Sequence, residues 1–302
     1  MRLVSYPLTY FTVISPDAMV AQPALERFFQ IDPFPQPPVA PTRYPVVLMH
    51  GFGMLASISR PGHLHDVAMD LRKRGILAFA PNVSPYATIE ERSRMWRERL
   101  QRVQEESQAD RMHLIAHSMG GLDARYLVRA FNLHRTIASV TTVATPHRGT
   151  AVAEFILEQP QRVQSWLADL VNRVGEVAMA GPKQDVTEAV RQLTPSYVQQ
   201  TFNPEVPNHS AVSYRSYAGR AGRGTDVPIN PFLRPLNQVL YEREGVNDGY
   251  VSVRNARWGT YQGLVDADHT HQIGIRLTNS SFDHLAFYRR LVDDLRQLEH
   301  EA

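Results

Sequence analysis

The chain has 302 residues, 43% of them apolar, which suffices for one enzyme-sized domain with a sizeable core. Its 32 Lys and Arg nearly cancel 30 Asp and Glu, leaving a formal charge of +2, so no net field directs it to nucleic acid or an anionic membrane surface. Cysteine is absent, which excludes disulfides, thiolate metal sites and a cysteine nucleophile, and leaves the redox compartment open.

In the first 15 residues Pro7, Thr9 and Tyr10 interrupt the apolar positions, so no cleavable signal peptide is legible. No apolar run is long enough to span a bilayer. The expectation is a cytoplasmic protein, with a secreted form whose signal has been removed as the alternative. Residues 1–45 read as a lead-in that ends in a proline-rich stretch (Pro33, Pro35, Pro37, Pro38, Pro41, Pro45), where lost backbone donors favour extended chain.

From residue 46 to 302 the pattern is that of one α/β domain. Short aliphatic and β-branched runs at Val46 to Met49, Ile76 to Ala80, Met112 to Ala116, Val140 to Ala144 and Val212 to Tyr217 alternate with helical periodicity, which implies parallel strands and crossover helices. Leu64, Val67, Ala68 and Leu71 share a helix face before Gly75. Thr88 and Glu91 form a capping box ahead of a helix carrying Met95, Leu100 and Val103. A last helix starts near Ser281. Residues 151–208 depart from the alternation: Phe155, Ile156, Trp166, Leu167, Leu170, Val171 and Val174 give a helical insertion, read either as a lid or as an ordinary helical excursion on the sheet.

Ala116-His117-Ser118-Met119-Gly120 follows a strand and opens a helix at Gly121. A serine at such a strand–turn–helix elbow stands exposed on a sharp turn, and small residues two before and two after it let strand and helix approach. The spacing alone recurs by chance in chains of this length, so its context and partners carry the weight. A serine hydroxyl needs a base within hydrogen-bond reach, oriented by a carboxylate. Asn247-Asp248-Gly249 and, 21 residues on, His269 follow in the order an elbow serine requires, with a strand at Gly263 to Val265 between them. Asn-Asp-Gly is also an ordinary turn sequence, and His271 stands close enough to His269 to compete for the role of base. Two backbone N–H donors must meet the oxyanion; Met119, after the serine, and Phe52, in the His50-Gly51-Phe52-Gly53 loop after the first strand, fit these places.

The stretches from Pro45 to Gly53 and from Ala116 to Arg125, Ala144-Thr145-Pro146-His147-Arg148-Gly149-Thr150, Asn247-Asp248-Gly249 and Asp268-His269 together resemble the bacterial triacylglycerol lipases of the Pseudomonas and Burkholderia type. The likeness runs from Val46 to about Gly274. It implies an α/β-hydrolase fold with Ser118 as nucleophile, Asp248 as acid, His269 as base, Phe52 and Met119 as oxyanion donors, and 151–208 as a lid. It also implies a lipid ester as substrate and a transient lipid interface, with no nucleic-acid partner. His147, His50 and His117 are expected to brace loops. Ala116 replaces the usual first elbow glycine. His271 stands where relatives with a structural calcium place an aspartate, so neither a metal nor any cofactor is expected. Alternatives within enzymes are a small-ester or polyester carboxylesterase or an acyltransferase; outside them, a non-catalytic lipid- or partner-binding relative.

Overall fold

Six strands alternate with helices, and every strand pairs in parallel with its neighbours in the spatial order β2-β1-β3-β4-β5-β6. The structure, a computed structural model, describes residues 41–53, 64–158, 186–275 and 281–301. In chain order the main elements are β1 (Val46–Met49), α1 (His65–Arg72), β2 (Ala78–Phe79), α2 (Ile89–Ser107), β3 (Met112–His117), α3 (Gly120–Ala130), β4 (Ile137–Val143), α4 (Ala151–Leu157), α5 (Val186–Arg191), β5 (Ser213–Gly219), α6 (Arg234–Glu244), β6 (Thr260–Val265) and α7 (His284–Glu301). The lead-in lies outside the described residues except for 41–45, as does 159–185 of the expected insertion.

The sheet is covered on both faces, and the alternation of side chains along each strand assigns them. Val46 and Leu48 of β1 and Ile115 of β3 pack with Leu64, just before α1, with Val67 and Leu71 of α1 and with Tyr288, Leu291 and Leu295 of α7. Val47, Met49, Leu114 and Ala116 point the other way, against Trp96, Leu100 and Val103 of α2 and Leu127 and Val128 of α3. Burial on both faces is why these strands read as unbroken apolar runs.

Several boundaries move. The run from Ile76 pairs only at Ala78 and Phe79, while β4 begins three residues before Val140. The capping box forms as anticipated, with Thr88 Oγ1 accepting from Glu91 N and the Glu91 carboxylate accepting from Thr88 N. The buried face of α2, however, runs through Ile89, Arg92, Ser93, Trp96, Leu100 and Val103, and Met95 is only half-buried. Apolarity misplaces that stripe because Arg92 turns inward to a charged partner. α7 begins at His284, where Asp283 accepts the Ala286 N–H at 3.0 Å. Among the described residues no helix is long and apolar enough to cross a membrane.

Candidate active site

β3 ends at His117, and Ser118 turns the chain with φ of +57°, a left-handed conformation that costs a side-chain-bearing residue energy. The turn is held from three sides. Ser118 N donates to Val143 O at the end of β4, while Ser118 O accepts from Gly121 N and from the Thr145 hydroxyl at 2.7 Å. The Ser118 side chain is left half-exposed at the carboxyl ends of the strands, where open α/β sheets place their ligand crevices.

The loop after β1 comes directly over this serine. A Cβ on Gly51 would fall 2.5 Å from Ser118 Cβ and 2.9 Å from its Oγ, so only glycine allows the approach. The same loop presents Phe52, and α3 presents the amide of buried Met119. Among the described residues neither N–H has an intramolecular acceptor. Backbone donors left so are open to an outside acceptor; Met119 is buried and Phe52 half-buried.

A buried network fixes that loop. Arg92, fully buried, donates through Nη2 to His50 O at 2.7 Å and through Nη1 to Ser84 O, and its Nε meets Asp123 Oδ2 of α3 at 2.9 Å. Trp96 Nε1 adds a 3.2 Å bond to the same oxygen. Burial pushes the Asp123 carboxyl up to about 6, against the pull of Arg92. His50 braces from above: its Nε2 accepts from Val83 N, leaving the proton on Nδ1 for Gly51 O. Sequence reasoning gave Arg92 and Asp123 no role; their signal was two charges facing inward on helices that cover the sheet.

The acid and base expected from the sequence are brought together. His269 Nδ1 lies 2.8 Å from Asp248 Oδ2, and His269 N donates to Asp248 O. Asp248 is buried, and its Oδ1 accepts from Tyr250 N and Val251 N at 3.0 and 2.8 Å. Asn247 Oδ1 accepts from Gly249 N, so Asn-Asp-Gly is at once a turn and the mount of the carboxylate. The His269 ring lies 4.4 Å from that of His117, the residue before Ser118, which sets the base beside the elbow.

His271 is held elsewhere: its Nδ1 is 2.9 Å from Asp268 Oδ2. Asp268 also accepts from Thr270 N, Thr270 Oγ1, His271 N and Asn230 N. Burial opposes the charge on Asp268, but these hydrogen bonds, that of His271 foremost, hold its carboxyl below the usual range. Among the described residues no group of three or more His, Asp or Glu side chains is placed to hold a metal ion.

His147 is buried between the Thr142 hydroxyl (3.0 Å) and the Trp258 ring, stacked at 5.3 Å, and burial with Arg125 and Arg148 nearby keeps it neutral. Arg125 lies 3.7 Å over Trp258 and 5.0 Å over Phe202, and donates to Val206 O.

The last two residues belong to the described end of the insertion. After Pro195–Tyr197 comes a π-helical turn, Val198–Phe202, then Asn203–Glu205. Val198, Phe202 and Val206 pack on Ile89, Met119 and Leu122, with Phe52, Leu193 and Tyr197 at the margin. Gln192 accepts from Ile89 N and donates to Glu90, each at 2.7 Å. This end is thus part of the core and forms a buried apolar wall packed with Met119.

A parallel sheet covered on both faces, a strained serine between β3 and α3, and an Asp–His pair from later loops define a serine hydrolase of the α/β-hydrolase fold. The fold agrees with that of the mature lipase of Bacillus licheniformis, which superimposes with a TM-score of 0.61 over 86% of this chain and 95% of that one at 24% identity. Triacylglycerol lipase 2 of Saccharomyces cerevisiae is 31% identical over 249 residues, 74% of this chain and 70% of the yeast protein. The triacylglycerol lipase of Burkholderia plantarii is 31% identical over 183 residues, 56% of this chain and about half (49%) of its own length. A family model described as palmitoyl protein thioesterase matches residues 45–212. The chain belongs to the triacylglycerol lipase family, and its segment 45–212 is of the palmitoyl protein thioesterase type.

Proposed function

We propose that the protein hydrolyses carboxylic esters of lipids through an acyl-serine intermediate. The observation that carries this reading is the strained, half-exposed Ser118 beside the two acceptor-less N–H groups of Phe52 and Met119, with the Asp248–His269 pair at the elbow. Ser118 Oγ attacks the acyl carbon and gives its proton to His269 Nε2, while Asp248 steadies the imidazolium through Nδ1. The carbonyl electrons move to an oxyanion held by Phe52 N–H and Met119 N–H. On collapse the alcohol leaves with the proton from His269; water, deprotonated by the same ring, then releases the fatty acid and restores the Ser118 hydroxyl.

The half-buried Phe52, Leu193 and Tyr197 at the margin of the cluster around Met119 suit an acyl chain rather than a polar one. The named relatives are triacylglycerol lipases, which points the same way. The expected lid over 151–208 does not include its described end, since Val198 and Phe202 are core residues, and 159–185 lie outside the described residues. A second reading, acyl-thioester hydrolysis, draws on the thioesterase-type match over 45–212; the same oxyanion receptor serves both leaving groups.

A phosphonate ester should label Ser118 alone. Initial rates on nitrophenyl esters of increasing chain length, on an emulsified triglyceride and on a palmitoyl thioester fix the substrate class. Rates that favour acetyl esters and fall to nothing with long chains would overturn the lipid reading. A rate that rises as substrate passes its solubility limit is expected if apolar surface opens at an interface; a plain saturation curve would count against interfacial activation.

A further inference from the structure

Three residues beyond the base, one amide touches almost every part of this site. Gln272 is fully buried in the short 3₁₀ turn His271–Ile273. Its Nε2 donates to Asp248 Oδ2 at 3.0 Å, the same oxygen that receives His269 Nδ1, and to Ala267 O at 3.2 Å. Its Oε1 lies 3.2 Å from His117 Nε2. The orientation of the amide follows from its neighbours: turned over, its oxygen would face a carboxylate and a carbonyl, two acceptors. Oε1 therefore accepts, and His117 Nε2 carries the proton.

Space for this amide is reserved from across the sheet. Gly219, the last residue of β5, lies so close that a Cβ there would fall 1.9 Å from Gln272 Nε2 and 2.9 Å from Asp248 Oδ2. The consequence is a single bridge joining the elbow after β3, through His117, to the acid in the loop after β5, built on the loop that bears the base. Asp248 then has its acceptor capacity filled by four N–H groups: Tyr250, Val251, His269 and Gln272. Without Gln272 the carboxylate keeps its two bonds at Oδ1 but is free to swing Oδ2, and the imidazole follows it.

We propose that Gln272 is a positioning residue of the hydrolytic site, which fixes Asp248 Oδ2 on the His269 side and ties both to the nucleophile elbow. This assignment rests on the functional reading above. Gln272 acts on rate through His269 and touches no substrate.

Gln272→Leu should lower kcat about 10- to 100-fold, the scale of a lost hydrogen bond to a charged group, with KM within about twofold of wild type. Gln272→Glu gives the sharper readout. The titratable groups facing this position are Asp248 and His117, with His269 beyond Asp248. To replace the lost N–H, the new carboxyl must hold a proton, and the neighbouring carboxylate together with burial raises the pH at which that proton leaves. This variant should approach wild-type kcat on the acid side. Its rate should then fall as pH rises, converging on that of Gln272→Leu, while wild type shows no such descending limb.

Circular dichroism at each pH establishes that the variants are folded; if Gln272→Leu fails to fold, the pH profile of Gln272→Glu decides alone. A profile of Gln272→Glu that superimposes on wild type, with Ser118 still labelled by a phosphonate, overturns the positioning role and leaves the hydrolase reading intact. A wild-type enzyme in which Ser118 is not labelled overturns both.

Discussion

Among the described residues, serine–histidine–carboxylate constellations stand at opposite ends of one strand. At the carboxyl end of β3 stand Ser118, His269 and Asp248. Near its amino end, Ser139 Oγ lies 2.7 Å from His113 Nδ1, and His113 Nε2 lies 2.9 Å from Glu299 Oε1. The second set has the better-formed hydrogen-bond chain, with the proton order a base would need. It lacks what the first has. Ser139 sits in β4 directly opposite His113, next to a register shift between Met112 and His113, is fully buried and has no positive φ. Glu299 spends its other bonds on Arg43 N and Tyr44 N. A row of three side chains is common physical chemistry; a strained, reachable hydroxyl beside two waiting N–H groups is what makes a nucleophile.

The comparison breaks most readily at the two serines. Ser118→Ala should lower ester hydrolysis by about 10⁴-fold or more, since the nucleophile, base and acid act as one unit, whereas Ser139→Ala should keep kcat/KM within about threefold. A dead Ser139→Ala that is still folded would reverse the assignment. At the next scale stand the two histidines of one loop. His269→Ala should cost several orders of magnitude, about 10³ or more. His271→Ala should cost roughly tenfold or less, because its Nδ1 serves Asp268 and the loop. Rates measured side by side with the order inverted would show the base to be His271.

The smallest effects belong to the amino end. His113→Leu strands the buried Ser139 hydroxyl, while Glu299 keeps its bonds to Arg43 N and Tyr44 N, and should reduce stability in urea by about 1–3 kcal/mol while sparing activity. It should also change the pH dependence. Burial, opposed by Glu299, depresses His113 below its ordinary value of 6.5. The unfolded chain therefore binds a proton below about 6.5 that the folded chain does not, and wild-type stability falls as pH drops through that window. Denaturation midpoints from pH 7.5 to 5 should fall less in His113→Leu than in wild type. Equal slopes would show that His113 contributes nothing to acid sensitivity.

How far the sequence revealed each region follows the range of its interactions. β1 is legible to the residue because Pro45 and Gly51 bound an apolar run, and the capping box at Thr88 is local. The elbow reads out because its turn demands small residues at fixed offsets. Asp248 and His269 are 21 residues apart and were placed by chain order and resemblance. Arg92 and Asp123 escaped because a charged pair on two covering helices resembles two surface charges until burial is seen. Gln272 carries no pattern at all: an amide that bridges His117 and Asp248 is defined by partners 155 and 24 residues away. The Ser139–His113–Glu299 row is illegible for the same reason, since its ends are joined across 186 residues by the return of α7.

The wall of Val198, Phe202 and Val206 carries a consequence for how this enzyme can change. Because Phe202 is a buried core residue that packs in the same cluster as Met119 and is gripped by Arg125, the side chains next to the residue after Ser118 also hold the fold together. Cutting Phe202 to Ala would open space beside Met119 and leave a cavity worth about 3–5 kcal/mol of stability. That is a large share of the roughly 5–15 kcal/mol that keeps a domain folded. Adaptation to bulkier acyl groups at this wall therefore runs against the stability threshold, so variants that broaden substrate range here should first need stabilising substitutions elsewhere.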